Sequence, residues 1–134
     1  MDDRLIAEAL CARLIYRFAA ANDAGEWEEA ASLFVEDGLF ARPSAPDHPV
    51  SGRAAILAAF QARPPRVTRH IVSNVVVTVE NETEAQAHSL IQLYVQGDDG
   101  RATPPLVGEF HDKLILVSAG WRFRERRGSL AFRS

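Results

Sequence analysis

Two titratable residues occupy positions that call for an explanation. In RVTRHIVSNVVVTVE (residues 66–80) His70 stands at the head of a run of β-branched residues suited to a strand. In AANDAGEWEEAASLF (residues 20–34) Asp23 falls where one helix ends and another begins. A carboxylate at a helix C-terminus faces the negative end of the macrodipole, which opposes it by ~0.3–1 kcal/mol. Asp23 therefore has two readings. Either it serves the turn, since Asn-Asp-Ala-Gly is a fair turn sequence, or a cation-capable partner offsets it. His70 is likewise either a satisfied structural group or that partner. If the two meet, the carboxylate orients one ring nitrogen of the histidine.

Other chemistries find little support. His48, His70, His88 and His111 show no close metal-ligand spacing along the chain, so no metal site is expected. There is no phosphate-binding glycine loop and no Gly-x-Ser-x-Gly elbow. Ser73 has no indicated base and reads as strand packing. Cys11, a single cysteine among apolar helical residues, reads as a buried and inert thiol.

The 134 residues are expected to form one domain spanning 1–134. A net charge of −3 gives no electrostatic footprint for nucleic acid or an acidic membrane surface. The start, Met-Asp-Asp-Arg, is acidic at once, and Arg13 and Arg17 interrupt the apolar residues that follow. No run reaches the ~20 apolar residues needed to cross a bilayer. A cytoplasmic protein without membrane or nucleic-acid partners is the expectation.

The elements that must carry Asp23 and His70 follow from periodicity. Asp2 or Asp3 can cap a helix from about Leu5 to Asn22, with Ile6, Leu10, Leu14, Phe18 and Ala21 on one stripe. A short helix spans Glu26 to Phe34, and a brief strand lies around Leu39 to Arg42. The proline-rich RPSAPDHPVSG then makes an irregular segment, either mobile or edging a pocket, before a third helix that starts at Ser51 or Gly52. Strands are expected over about 67–80, 84–96, 106–118 and 121–132. Helices followed by long strands with short turns make an α+β fold, helices against an antiparallel sheet, with room for a pocket between them.

Alternation assigns the faces. His70, Val72, Asn74 and Val76 share one side of their strand, which puts Asn74 on the same face as His70. Asp112 shares a face with Phe110, Leu114 and Leu116. Arg122, Arg124 and Arg126 form an arginine face, read as solvated or as an interface, opposite Trp121, Phe123 and Glu125.

Five segments in this order resemble SnoaL-like proteins of the nuclear-transport-factor-2-like superfamily. They are Tyr16…Asn22-Asp23-Ala24-Gly25-Glu26-Trp27, Leu33-Phe34-Val35-Glu36-Asp37-Gly38, Ser51-Gly52-Arg53-Ala54-Ala55-Ile56…Phe60, Arg69-His70-Ile71-Val72-Ser73-Asn74 and Gly120-Trp121-Arg122-Phe123. The resemblance implies a cone-shaped, curved antiparallel (mixed) sheet wrapped around N-terminal helices and enclosing a pocket. It is closest to the scytalone dehydratase and bile-acid dehydratase branch, where the equivalents of Asp23 and His70 form a hydrogen-bonded acid–base pair. The implied activity is dehydratase- or cyclase-like, without metal or organic cofactor, on a hydroxylated and largely apolar ring compound. The same superfamily holds non-catalytic binding proteins and β-subunits of ring-hydroxylating dioxygenases, and its members commonly pair through the outer sheet face, which implies a homodimer or higher homo-oligomer.

Departures from that branch shape the expected binding residues. Where scytalone dehydratase has a tyrosine before the aspartate this chain has Asn22, and where it has one in the first strand the chain has Phe40 or Arg42. Its second catalytic histidine has no match; Gln92 and Tyr94 lie in the corresponding strand. Hydroxyls for a substrate carbonyl are then expected from Tyr16 or Tyr94. Phe40, Asn74 and Asp112 complete the expected lining.

Overall fold

The structure is a computed structural model that describes residues 2–132. Helix α1 runs Asp3–Ala24, α2 Trp27–Ser32 and α3 Arg53–Gln61. Six strands follow the order β1 Phe34–Ala41, β2 Val50–Ser51, β3 Thr68–Val79, β4 Glu84–Val95, β5 Leu106–Val117 and β6 Gly120–Leu130. They form one curved sheet in the order β2-β1-β6-β5-β4-β3. The long strands pair antiparallel, whereas β1 runs parallel to β6, so the sheet is mixed.

Helix α1 begins where the Asp2 carboxylate accepts the Arg4 backbone N–H at 2.8 Å. It ends in a double backbone closure: Glu26 N–H donates to Ala21 O at 2.9 Å and Gly25 N–H to Asn22 O at 3.1 Å. That closure needs a left-handed residue, and Gly25 supplies it at φ 69°. Asp23 is thereby fixed in the last turn of α1. Leu14, Phe18 and Ala21 of the expected stripe are buried, joined by Cys11, Ile15, Ala19 and Asn22, whereas Ile6 and Leu10 are exposed.

The sheet curls over this stripe. Phe18 lies at the centre of an aromatic core, with ring centroids 5.6 Å from Phe40, 5.9 Å from Phe34 and Phe123, and 6.1 Å from Phe60. Aromatic pairs at such spacings, edge-on for all but the tilted Phe18–Phe40 pair, add ~0.5–1.5 kcal/mol each beyond their buried area. Helix α2 is shorter than expected and stops before Phe34, which opens β1. The strand around Leu39 is accordingly longer than the sequence suggested, with its pairing to β6 broken between Phe34 and Leu39.

Two bulges overturn the alternation read from the sequence. The β3–β4 register shifts between Ser73 and Val76, where Asn74 takes φ 52°. Beyond it Val75, Val77 and Val79 turn inward onto the core, while Asn74 and Val76 face out. In β6 Phe123 pairs with Leu114 and Glu125 with Lys113, leaving Arg124 as the extra residue. Arg126 then points inward, not outward with Arg122 and Arg124, and is buried, while Glu125 faces out to meet Lys113 and Arg127.

Candidate active site

Between the C-terminal end of α1, the segment after α3 and the concave side of the sheet lies a cavity of about 690 Å³. Asp23 and His70 share its wall. His70 Nδ1 is 2.5 Å from Asp23 Oδ1, the His70 backbone N–H donates to Asp23 Oδ2 at 2.8 Å, and the Thr68 hydroxyl donates to Asp23 Oδ1 at 2.9 Å. A carboxylate offers lone pairs and no proton, so the ring proton belongs to Nδ1, and Nε2 is left as the basic nitrogen. Three donors offset a negative charge that the end of α1 opposes. The side chains of His70 and Asp23 retain 15% and 17% exposure, which suits groups that face a ligand and not a sealed core.

Apolar side chains make up much of the rest: Phe18, Phe40, Ile91, Leu93, Phe110 and Leu130. The loop after β1 closes one edge, because the Pro43 ring rests on Gly128. A Cβ at Gly128 would lie 2.7 Å from three Pro43 atoms. The proline-rich segment is thus seated at the cavity edge through Pro43 and Ser44.

Asn22 occupies the place before Asp23. It is buried, its amide donates to Phe18 O at 2.8 Å, and its Oδ1 accepts Arg63 Nη1 at 2.7 Å. The Arg63 guanidinium lies 4.6 Å from the Phe60 ring centre and 5.6 Å from that of Trp27. Burial, and then the nearby Arg42 charge, pull its pKa down to about 10.

Under the cavity floor lies a buried ion pair. Arg126 Nη1 donates to Asp112 Oδ2 at 2.6 Å, and the guanidinium packs among the rings of Phe110, Phe18 and Phe123. Burial pushes the Asp112 carboxyl above the usual carboxylate range, although Arg126 pulls the other way. Asp112 Oδ1, Arg126 Nε and Ser89 Oγ have no protein partner among the described residues.

Of the residues expected at the site, the structure brings Asp23, His70 and Phe40 to the cavity wall. Tyr16 lies on the outward side of α1, half exposed. Asn74 is turned out by its own bulge. Tyr94 faces away from the cavity and donates its hydroxyl to Gln92 at 3.1 Å. Asp112 lies beneath the floor and not on it. Thr68 was open to discovery by alternation, two residues before His70 on the same face. Arg63 sits in the irregular segment after α3, where no periodicity points it anywhere.

On the opposite sheet face, strand register assembles what spacing in the sequence conceals. His88 pairs with His111 across β4–β5, and the Glu109 carboxylate lies beside both rings, with Oε2 2.9 Å from His88 Nε2 and Oε1 3.5 Å from His111 Nε2. The candidate ligand atoms of this trio lie within 4.8 Å of one another. Hydrogen bonding to His88, then to His111, holds the Glu109 carboxyl below its usual range. Cys11 is fully buried, and burial pushes its thiol up to about 12, so little of it is thiolate at neutral pH.

The sequence matches the SnoaL-like domain family over residues 3–127. No curated protein matches it significantly. Among solved structures, a protein of Novosphingobium aromaticivorans DSM 12444 provisionally named a scytalone dehydratase superposes with a TM-score of 0.85 at 25% identity, over 98% of this chain and 88% of that one. A nuclear-transport-factor-2-like protein with a cystatin-like fold from N. aromaticivorans gives 0.85 at 26% identity, over 97% and 85%. A Catenulispora acidiphila protein in complex with S-DNPA gives 0.73 at 25% identity, over 91% of each chain. The helices, the curved mixed sheet and a family match over nearly the whole length agree, and the chain belongs to the SnoaL-like domain family.

Proposed function

We propose that the cavity is an active site for cofactor-independent proton transfer on a small, hydroxylated, largely apolar ring compound, of the dehydratase or cyclase kind. The observation that carries this reading is the 2.5 Å contact between His70 Nδ1 and Asp23 Oδ1 on the wall of a mostly apolar cavity. The volume is within the ~300–1,000 Å³ usual for small-molecule sites. Family membership and the structural neighbour named as a scytalone dehydratase support the same class.

In this reading His70 Nε2 takes a proton from the carbon beside a carbonyl, while Asp23 offsets the charge that develops on the ring. The C–H pair becomes the new C=C bond as the C–O bond to the β-hydroxyl breaks. The departing oxygen collects the proton from His70 and leaves as water. The test is a panel of cyclic β-hydroxy ketones, read by the ultraviolet absorbance of the enone formed. Turnover that falls by ~10²-fold or more in both His70→Ala and Asp23→Asn is expected. Turnover unchanged in either variant would overturn the mechanism.

A second reading is favoured by the outward placement of Tyr16 and Tyr94, which leaves no phenol to hold a substrate carbonyl. It is a non-catalytic binding protein, or a β-subunit-like partner of a ring-hydroxylating dioxygenase. A stable complex with a larger iron-containing chain, and no turnover on the panel, would select it. In either case Ile71, Val76 and Val117, exposed on the outer sheet face, suit a homodimer. Light scattering that returns the monomer mass at micromolar concentration would rule the dimer out.

A further inference from the structure

The cavity wall carries a charge that the acid–base pair does not explain. The chain as a whole has 18 acidic and 15 basic residues. Yet Arg42, Arg63 and Arg66 line this one cavity, and Asp23 is the acid that faces them. Asp23 is already engaged by Thr68 and by His70 through both oxygens. None of the three arginines forms an ion pair with a carboxylate among the described residues.

Arg63 is held firmly enough to recognise something. Its Nη1 donates to Asn22, whose own amide is fixed on Phe18 O, and its flat face is stacked on Phe60 and Trp27. Nε and Nη2 remain as donors in the rigid fork that matches an oxyanion. Two guanidinium groups that disfavour each other at a half-enclosed wall need a shared counter-charge. The lowering of the Arg63 pKa, by burial and then by Arg42, is the same conflict seen from the proton side. Arg63 is stacked and partly buried, as an arginine that merely solvates a rim would not be.

We infer that Arg63 and Arg42 form an oxyanion-binding subsite, so that the ligand is a ring compound bearing a carboxylate or a phosphate whose charged end docks beside Asn22 while its apolar body fills the cavity. This rests on the cavity being a ligand site, as proposed above, but not on turnover. Because Asn22 adjoins Asp23, the subsite would also set which carbon of the ligand meets His70.

The experiment measures binding, not catalysis. Naphthoate, the neutral naphthamide and naphthyl phosphate are titrated against the full chain, read by the fluorescence of Trp27, which lines the cavity. Naphthoate is expected to bind about tenfold or more tightly than naphthamide. Phosphate exceeding carboxylate by about tenfold would assign the charged group to a phosphate ester, and the reverse order to a carboxylic acid. The preference for acid over amide should shrink to within about twofold in Arg63→Met. It should fall partway in Arg42→Gln, an exposed change that leaves the packing alone. It should persist in Arg124→Gln, an exposed arginine outside the cavity, and because the readout is binding, a failure of the catalytic reading does not touch it. Equal affinity for acid and amide, no binding of either, or a preference that survives both arginine variants would overturn the subsite.

Discussion

The Arg126 guanidinium carbon lies 3.8 Å from the centre of the Phe110 ring, and Phe110 is part of the cavity floor. The apolar floor therefore rests on a buried cation with one carboxylate partner, Asp112. Removing one member of a buried pair is strongly destabilising, by ~3–5 kcal/mol, because the other charge is stranded. Asp112→Ala should show that full cost in denaturant unfolding, since an arginine does not shed its proton. Asp112→Leu combined with Arg126→Met should cost much less than the two single changes summed. Additive costs would mean that the pair is not coupled.

Arg126→Met alone should behave differently, and with a definite sign in pH. Burial already raises the Asp112 pKa above its unfolded value. Between those two values the native state holds more protons than the unfolded one, so stability falls as pH rises. Without the guanidinium the carboxyl is raised further and the window widens upward. The cost of Arg126→Met should thus be smaller at about pH 5 than at about pH 8. A cost independent of pH would show that Asp112 keeps its charge without its partner.

The seat of the proline loop gives a sharper steric test. A methyl group at Gly128 would lie 2.7 Å from the Pro43 nitrogen and two of its ring carbons. A proline backbone cannot swing aside as a flexible side chain can. Gly128→Ala should therefore cost ~1–3 kcal/mol by overpacking, and it should weaken ligand binding because Pro43 edges the cavity. Unchanged unfolding and binding would mean that the loop lifts freely from β6.

Asp23 and His70 are 47 residues apart, and no local rule joins them. What was legible was the anomaly of each residue type in its setting, and the order of segments that suggested a common fold. The order of the three helices and the four long strands was legible too, because long β-branched runs and a capped helix carry strong local signals, whereas β1 and β2 were not read at their true extent. Side-chain direction was legible only as far as each bulge, and the reason is specific. Alternation runs true only until a strand gains one residue, and β3 and β6 each do so, at Asn74 and Arg124. Past those points every inference reverses, which is how Asn74 was expected inside and Arg126 outside. The His88–Glu109–His111 group was hidden for a related reason, since its proximity arises from cross-strand register.

The bulge at Asn74 can itself be tested. Its φ of 52° lies in the left-handed region, which costs an ordinary residue ~1–2 kcal/mol and a β-branched one more, whereas asparagine and glycine tolerate it. Asn74→Gly should be nearly neutral and Asn74→Val destabilising by at least ~1 kcal/mol in denaturant unfolding. If valine were accepted without loss, β3 would be continuous and the inward placement of Val75, Val77 and Val79 would have to be revised.

Thr68 is the least conspicuous partner of Asp23 and offers the finest test of the proposed acid–base group. Its hydroxyl donates to the same Asp23 oxygen that faces His70 Nδ1. Thr68→Val keeps the shape but removes one of the three donors that hold a charge at an unfavourable helix end. A hydrogen bond to a charged group is worth ~1.5–3 kcal/mol, so a stability loss of this order is expected. The effect on turnover of a β-hydroxy ketone should be smaller than that of His70→Ala, about tenfold, because the base survives and only its orientation loosens. Thr68→Ser restores the donor and should recover most of both losses. If Thr68→Val lowers stability without changing turnover, Asp23 is anchored well enough by the His70 backbone N–H alone. The hydroxyl then serves the joint between α1 and β3, not the orientation of the ring.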